Sequence, residues 1–304
     1  MIDGLPSLAT AVIRSDAVET NVAGAAGVDD RFHIGSNTKA MTATLAAIAV
    51  ERGLLDWTTE ATAVLDVPGS AEITLVRLLA HAGGIRPLTD DAEFVGVPAG
   101  RAELARVLMS GPPLFRPGTA NVYSNGGYTI VAAMLETVTG IAWESLLQSS
   151  IAEPLSIELG VGWPVGLSGH YECDGVLVAH HLGDGYTVPA AIAPAGDVNA
   201  TIGAYSRFVQ LHLRGLRAQA ELLSRETFEL LHTPVGEPFA LGWGIQVFEG
   251  ARSSVHAGSA GTFTALAVVQ PERDLAIAVL TNAGGQQASA ATVEATRELI
   301  RAHT

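Results

Sequence analysis

Short runs of apolar and β-branched residues stand at both ends of the chain. Near the start, residues 7–14 and 18–23 form two such runs separated by a few residues, which predicts a β-hairpin. Near the end, four more runs predict strands, and the turn at 271–274 predicts that the last two pair as a hairpin. These four predicted strands cover residues 239–248, 253–257, 262–270 and 275–281.

Helical patterns dominate the segment between these two sets of strands. The longest covers residues 36–52, which are rich in Ala and are followed by Gly53 at the position of a left-handed C-cap. A stretch at 159–194 carries many Gly, His and Pro residues and is predicted to be irregular apart from one short strand pair. The other predicted helices cover residues 74–81, 101–110, 127–139, 143–151, 201–216, 224–232 and 286–302.

Strands at both ends around a helical middle predict an α+β fold with one antiparallel sheet built from the two termini and flanked by helices. The central helices are then an inserted, mainly helical lobe. The predicted division is a sheet lobe of residues 1–62 and 195–304 and a helical lobe of residues 63–194. The sequence contains no internal repeat and no low-complexity tract.

Composition limits the classes of partner. With 48% hydrophobic and 16% charged residues, the chain can bury a sizeable core. Its formal net charge of -14, with no basic run, argues against nucleic acid and anionic membranes as partners. Cys173 is the only cysteine, which excludes an intrachain disulfide. The first ten residues lack the pattern of a signal peptide, so we expect a soluble cytoplasmic protein. No feature predicts an oligomeric state.

Ser36 and Lys39 are the first candidate for chemistry. Residues three apart share a face of a helix, so a serine hydroxyl and a lysine amine at this spacing can meet. A serine alcohol needs a neighbouring base to act as a nucleophile, and the positive end of a helix favours a developing oxyanion. Taken alone, the same spacing is more typical of an N-cap serine with a solvent-facing lysine.

Two further motifs follow in the sequence. The run from Tyr123 to Asn125 precedes a helix, where a phenol can shuttle protons and an amide can bind a carbonyl; helix capping is the simpler alternative. The run from His256 to Gly258, followed by Ser259, lies on a predicted strand. Small residues there let a substrate approach an edge strand, although an ordinary strand histidine fits the same pattern.

The ordered set of motifs resembles the serine β-lactamase and penicillin-binding protein superfamily, especially its class C-like branch of DD-peptidases, D-aminopeptidases and family VIII-type esterases. The resemblance covers nearly the whole chain and implies a β-lactamase/transpeptidase-like fold. It rests, in chain order, on FHIGSNTK (32–39), LLAHAGG (78–84), RPG through YSNGGY (116–128), APAG (193–196), LGWG (241–244) and LTN (280–282).

The same resemblance implies a role for each matching residue. Ser36 attacks an acyl carbonyl and Lys39 takes its proton. Tyr123 passes a proton to the leaving group, and Asn125 holds the substrate amide. The resemblance places the oxyanion between the backbone N–H groups of Ser36 and Ser259, with a typical contribution of about two to three orders of magnitude in rate per donor.

The third motif departs from the Lys-Thr-Gly of most class C β-lactamases, because His256 stands in the place of the lysine. A histidine is only partly protonated near neutrality, which weakens any grip on a substrate carboxylate. His-x-Gly at this place resembles the peptidase and esterase members of the superfamily, which implies a serine hydrolase that cleaves a D-amino-acid peptide or a small carboxylic ester through an acyl-enzyme, without a cofactor. The alternatives are a weak β-lactamase and a catalytically silent penicillin-binding sensor.

Two other hypotheses are weaker. Residues 257–261 nearly match the nucleophile elbow of α/β-hydrolases, but that elbow leads from a strand into a helix, whereas a strand is predicted to follow here. The pair His180 and His181 lacks nearby ligands at a metal-binding spacing, and adjacent strand residues point to opposite faces, so no metal site is predicted.

Overall fold

A computed structural model of the protein describes residues 4–304 except residues 71, 90, 181–187, 220 and 237. Its strands are β1 (Ser7–Ile13), β2 (Val18–Gly24), β3 (Phe32–His33), β4 (Gly160–Val161), β5 (Gly169–Cys173), β6 (Val176–His180), β7 (Val198–Ala200), β8 (Gly244–Phe248), β9 (Ala251–Ser259), β10 (Thr264–Gln270) and β11 (Leu275–Thr281).

The helices alternate with these strands and fill the middle of the chain. They are α1 (Thr38–Glu51), α2 (Ala61–Leu65), α3 (Leu75–Leu79), α4 (Asp91–Phe94), α5 (Arg101–Met109), α6 (Asn125–Thr139), α7 (Trp143–Leu147), α8 (Glu153–Leu155), α9 (Ala193–Gly196), α10 (Ile202–Leu216), α11 (Arg225–Leu231) and α12 (Gly285–His303). Short 3-10 turns cover residues Gly35–Asn37, Ala190–Ile192 and Pro271–Arg273, and a π-helical turn covers Gln148–Ala152.

The two ends of the chain pair in one antiparallel sheet of six strands, in the order β2-β1-β11-β10-β9-β8. The first strand inserts between β2 and the last strand, with Leu8 opposite Thr281. Near the other edge, β10 pairs with β9 so that Ala265 stands opposite Gly258. The predicted sheet made from both termini is therefore confirmed.

Helices cover both faces of the sheet, which explains why its central strands are apolar throughout. In β10, Ala265 and Ala267 face the larger core with α1 and α10, whereas Leu266 and Val268 face a smaller core closed by α12. A strand with two buried faces needs no polar alternation. The larger core continues into the helices of residues 63–194, and the division into two lobes stays a prediction.

Several predicted boundaries shift. The helix expected at 36–52 begins as a 3-10 turn at 35–37, and α1 follows, with Gly53 left-handed at φ 71° as predicted. The strand expected at 239–248 begins only at Gly244. The strand pair expected in the irregular stretch is the β5–β6 hairpin. In the described ranges, no single helix has the length and apolar character to cross a membrane, although α6 and residues 143–155, bent by 83°, meet those two criteria as a pair.

Candidate active site

Ser36 and Lys39 meet at the start of α1. Lys39 Nζ lies 3.1 Å from Ser36 Oγ, 2.6 Å from Asn125 Oδ1 and 2.6 Å from the carbonyl oxygen of Ala195. The lysine side chain is fully buried, and this burial holds the pKa of Lys39 well below 10.5. Ser36 is not an N-cap, because neither the 3-10 turn at Gly35–Asn37 nor helix α1 has a side-chain hydrogen bond at its N-cap.

The surroundings of Lys39 suit a neutral amine. A neutral amine has two hydrogens, which the oxygens of Asn125 and Ala195 can accept at 2.6 Å. Its lone pair is then directed to the third neighbour and can accept the Ser36 hydroxyl hydrogen. This arrangement makes the lysine a base for the serine rather than a permanent cation.

Tyr123 lies on the other side of the serine hydroxyl. Its ring lies 4.6 Å from Lys39 Nζ, and its phenol lies beside the Ser36 side chain. Burial raises the pKa of Tyr123 to about 12, against a smaller opposite effect of the Ser36 side chain. The residue is therefore a phenol at neutral pH and can donate a proton. His81 packs against the ring with centroids 4.5 Å apart.

Asn125 opens α6 and has both ends of its amide engaged. Its Oδ1 accepts from Lys39, and its Nδ2 donates to the carbonyl oxygen of Leu88 at 2.5 Å. Asn125 also lines the cavity beside the serine. In this arrangement the amide holds Lys39, and contact with a substrate amide requires one of these two bonds to change. The neighbouring Ser124 is the N-cap of α6, with its Oγ accepting from Gly127 N at 3.1 Å.

Gly258 and Gly35 bring strand β9 against the turn that carries Ser36. A methyl group at Gly258 would lie 2.1 Å from the carbonyl oxygen of Ile34 and 3.0 Å from Ser36 N. A methyl group at Gly35, which is left-handed at φ 52°, would lie 2.6 Å from Ser259 N. The backbone nitrogens of Ser36 and Ser259 thus lie on either side of one close contact, where the sequence motifs place an oxyanion.

His256 lies elsewhere than the motif suggests. Alternation along β9 buries His256 and Gly258 and leaves Ala257 and Ser259 exposed at the cavity. The imidazole Nδ1 is 2.6 Å from the carbonyl oxygen of Gly242, behind the strand. Burial lowers the pKa of His256 to about 4. The prediction of a partly charged imidazole is wrong, and the side chain is not on the cavity wall.

Two buried histidines that the sequence motifs left without a role also support the site. His33 Nδ1 accepts the N–H of Gly35 at 3.1 Å, so its Nε2 carries the hydrogen donated to Asp197 at 3.0 Å. His81 adopts φ 59° and accepts the N–H of Ser124 at 3.1 Å. Both residues lie inside the quoted motifs at 32–39 and 78–84, and this is the sequence signal that could have pointed to them.

A cavity of about 850 Å³ opens beside the serine. Its described wall consists of hydroxyl, amide, imidazole, aromatic and aliphatic side chains, without Lys or Arg. Within the described ranges no group of three or more His, Cys, Asp or Glu residues could hold a metal ion. His180 lines this cavity, and His181 lies outside the described residues. The wall is formed by Ser36, Thr89, Phe94, Tyr123, Asn125, Tyr171, His180, Val188, Ile192, Ala195, Gly196, Ala257, Ser259, Ala260, Gly261 and Thr262.

The sequence matches a known protein family over nearly its whole length. The family model described as Beta-lactamase matches residues 2–301, and the protein belongs to this family of serine hydrolases. Penicillin-binding protein 4 from Amycolatopsis lactamdurans is 28% identical over 295 residues, covering 84% of this chain and 73% of the relative. Unguisins hydrolase ungD from Aspergillus violaceofuscus is 24% identical over 340 residues, covering 91% of this chain but only 58% of the relative.

Solved structures agree on the fold. A penicillin-binding protein homologue from Pyrococcus abyssi, described as octameric, superposes with a TM-score of 0.83 at 21% identity, covering 98% of this chain and 74% of that one. A D-stereospecific amidohydrolase from a Streptomyces species gives a TM-score of 0.78 at 22% identity, covering 96% and 94%. The predicted family, fold class and serine hydrolase character are confirmed.

Proposed function

We propose that the protein cleaves a small carboxylic ester or a D-amino-acid peptide through an acyl-enzyme on Ser36. The observation that carries this proposal is the position of Ser36 Oγ, 3.1 Å from the buried amine of Lys39 and beside the phenol of Tyr123, with which it shares the cavity wall. A base and a proton donor on one hydroxyl are the two groups that acyl transfer needs.

In the first half-reaction, Ser36 Oγ attacks the acyl carbonyl while Lys39 Nζ takes the hydroxyl proton. The oxygen that becomes negative is stabilised by the N–H groups of Ser36 and Ser259. Tyr123 donates its proton as the bond to the leaving group breaks, and the ammonium of Lys39 restores that proton. A water molecule then attacks the acyl-enzyme ester on Ser36 and loses a proton to Lys39 and Tyr123. These two groups return a proton to Ser36 Oγ as the acyl group leaves.

The choice of substrate follows from charge. His256 is neutral and behind the strand, so the third motif supplies no cation to pair with a carboxylate beside the scissile bond. An ester or a peptide bond without an adjacent carboxylate suits this wall better than a cephalosporin. The similar proteins include a penicillin-binding protein, a hydrolase of unguisins and a D-stereospecific amidohydrolase, which supports this class of substrate.

Mass spectrometry after exposure to a fluorophosphonate and to a penicillin tests the nucleophile. We expect one adduct, on the peptide that contains Ser36, and no adduct in Ser36→Ala. Ser259→Ala is the matched control, because Ser259 also lines the cavity but contributes only its backbone N–H. An adduct on any residue other than Ser36 would overturn the proposal.

Parallel assays then rank the substrates. We expect turnover of a short aryl ester and of a D-Ala-D-Ala peptide with an amidated C-terminus well above that of a cephalosporin, because neither carries a carboxylate beside the scissile bond. Efficient cephalosporin turnover would favour a β-lactamase instead. An adduct on Ser36 without turnover of any of the three would favour a penicillin-binding sensor.

A further inference from the structure

A buried chain of four polar side chains runs from the sheet to helix α1, away from the cavity. Ser254 Oγ lies 2.7 Å from His232 Nδ1, and His232 Nε2 lies 2.9 Å from His212 Nδ1. His212 Nε2 then lies 3.3 Å from Thr44 Oγ1. All four side chains are buried. The proposed mechanism uses none of them.

The hydrogen positions in this chain follow from its last member. Thr44 donates its hydroxyl hydrogen to the carbonyl oxygen of Ala40 at 2.8 Å, so its oxygen accepts from His212 Nε2. His212 Nδ1 is then the acceptor for His232 Nε2, and His232 Nδ1 accepts from Ser254. Each donor meets one acceptor, and both rings are neutral, because burial lowers the pKa of His212 to about 3 and that of His232 well below 6.5.

The ends of the chain lie on the two elements that carry the candidate active site. Ser254 is on β9, the strand that continues to Gly258 and Ser259. Thr44 and its acceptor Ala40 are on α1, and Ala40 directly follows Lys39. A buried, fully paired chain is stiff, because a shift of either element leaves a polar group without a partner.

A second contact joins the same two elements. The carbonyl oxygen of Gly242 accepts a hydrogen bond from Nδ1 of His256, on β9, at 2.6 Å, and a methyl group at Gly242 would lie 3.0 Å from Cα of Ala40, on α1. Trp243 stacks on His232 with ring centroids 5.0 Å apart and lies edge-on to His212 at 5.2 Å. Strand and helix are thus held together at two neighbouring points.

We propose that His212 and His232 are positioning residues that fix β9 against α1 and so set the distance between the N–H of Ser259 and the nucleophile. The inference rests on the proposed function of Ser36. A displacement of about 1 Å at a reacting group typically costs about a hundredfold in rate. The loss of one bond in the chain permits a smaller shift, and we expect about a tenfold loss of kcat.

Ser254→Ala tests this inference, with two companion variants. Ser254→Thr keeps the hydroxyl and is the conservative rescue. Ser253→Ala is the matched control, because Ser253 is its buried neighbour on β9 but bonds to Ala251 and Gln270 instead. The concentration of active sites is measured by fluorophosphonate titration, and kcat and KM for an aryl ester are expressed per titrated site. His232→Gln, which retains one acceptor and one donor, is the second variant if Ser254→Ala folds poorly.

The expected result is a kcat about tenfold lower in Ser254→Ala, with KM within twofold of wild type, and near-normal kcat in Ser254→Thr and Ser253→Ala. His232→Gln should retain more of the wild-type kcat than His232→Ala. A Ser254→Ala protein that melts earlier but keeps the kcat of Ser253→Ala per site would overturn this inference alone. Wild-type turnover that does not depend on Ser36 would overturn the proposed function as well.

Discussion

Gly258→Ala perturbs the closest contact in the candidate active site. The added methyl group would lie 2.1 Å from the carbonyl oxygen of Ile34, 2.6 Å from Asn37 Nδ2 and 3.0 Å from Ser36 N. Carbon atoms do not approach this closely, so β9 and the turn at 35–37 must separate by about 1 Å. The two backbone N–H groups proposed to bind the oxyanion stand on opposite sides of this gap.

The expected losses of stability and of acylation rate in Gly258→Ala follow from that separation. Forcing one extra methyl group into a packed contact typically costs about 1–3 kcal/mol of folding free energy, which leaves most of the protein folded. The loss of one oxyanion donor typically costs about two to three orders of magnitude in rate. The variant is therefore expected to fold, to melt a few degrees lower and to acylate Ser36 about a hundredfold more slowly.

The assay is the rate of fluorophosphonate labelling together with kcat/KM for an aryl ester, both on protein shown to be folded by circular dichroism. Gly111→Ala is the control, since a methyl group there would have no atom within 4 Å. Labelling of Gly258→Ala within threefold of wild type would refute the reasoning, because the gap would then not govern the chemistry.

Three further predictions concern single side chains. Lys39→Arg replaces the base by a cation that does not lose its proton, so the rate of acylation should fall by about two to four orders of magnitude. In wild type, a pH profile of kcat/KM should rise with pH as Lys39 loses its proton, with a midpoint well below 10.5. Tyr123→Phe keeps the contact with His81 but removes the proton donor, so turnover of a D-peptide should fall about a hundredfold and that of an activated aryl ester much less. His256 has a folded-state pKa of about 4 against about 6.5 unfolded, so the folded state binds fewer protons and loses stability as pH falls from 6.5 to 4. The share of His256 in this loss should reach about 3 kcal/mol, measured in urea unfolding as the difference between wild type and His256→Gln, because the buried His212 and His232 add their own losses in both proteins.

Much of this architecture could be predicted from the sequence, because its signals are local or ordered along the chain. The apolar runs predicted at 262–270 and 275–281 and the turn between them define a hairpin without tertiary information, and the structure pairs them as β10 and β11. Ser36 and Lys39 gain their meaning from the later motifs, and the structure brings Lys39, Tyr123 and Asn125 together around one hydroxyl.

The remainder depends on contacts between distant segments. The side-chain amide of Asn125 accepts a hydrogen bond from Lys39 and donates one to the carbonyl oxygen of Leu88. The sequence contains no indication of the second partner. The inward side of β9 is decided by its pairing with β10, which turns His256 away from the cavity. Burial then removes the charge that the residue type alone suggested.

The position of β1 between β2 and β11 has a consequence for how the molecule is made. The hairpin of residues 7–24 leaves the ribosome about 250 residues before its partner strand, Leu275–Thr281. Pairing across such a sequence separation is slow, because a long loop must close before any contact forms. Until then the edge of β1 is open to other chains. Ser36 is therefore synthesised long before the sheet that completes the active site can form. Expression conditions that slow aggregation should raise the yield of active protein more than that of total protein.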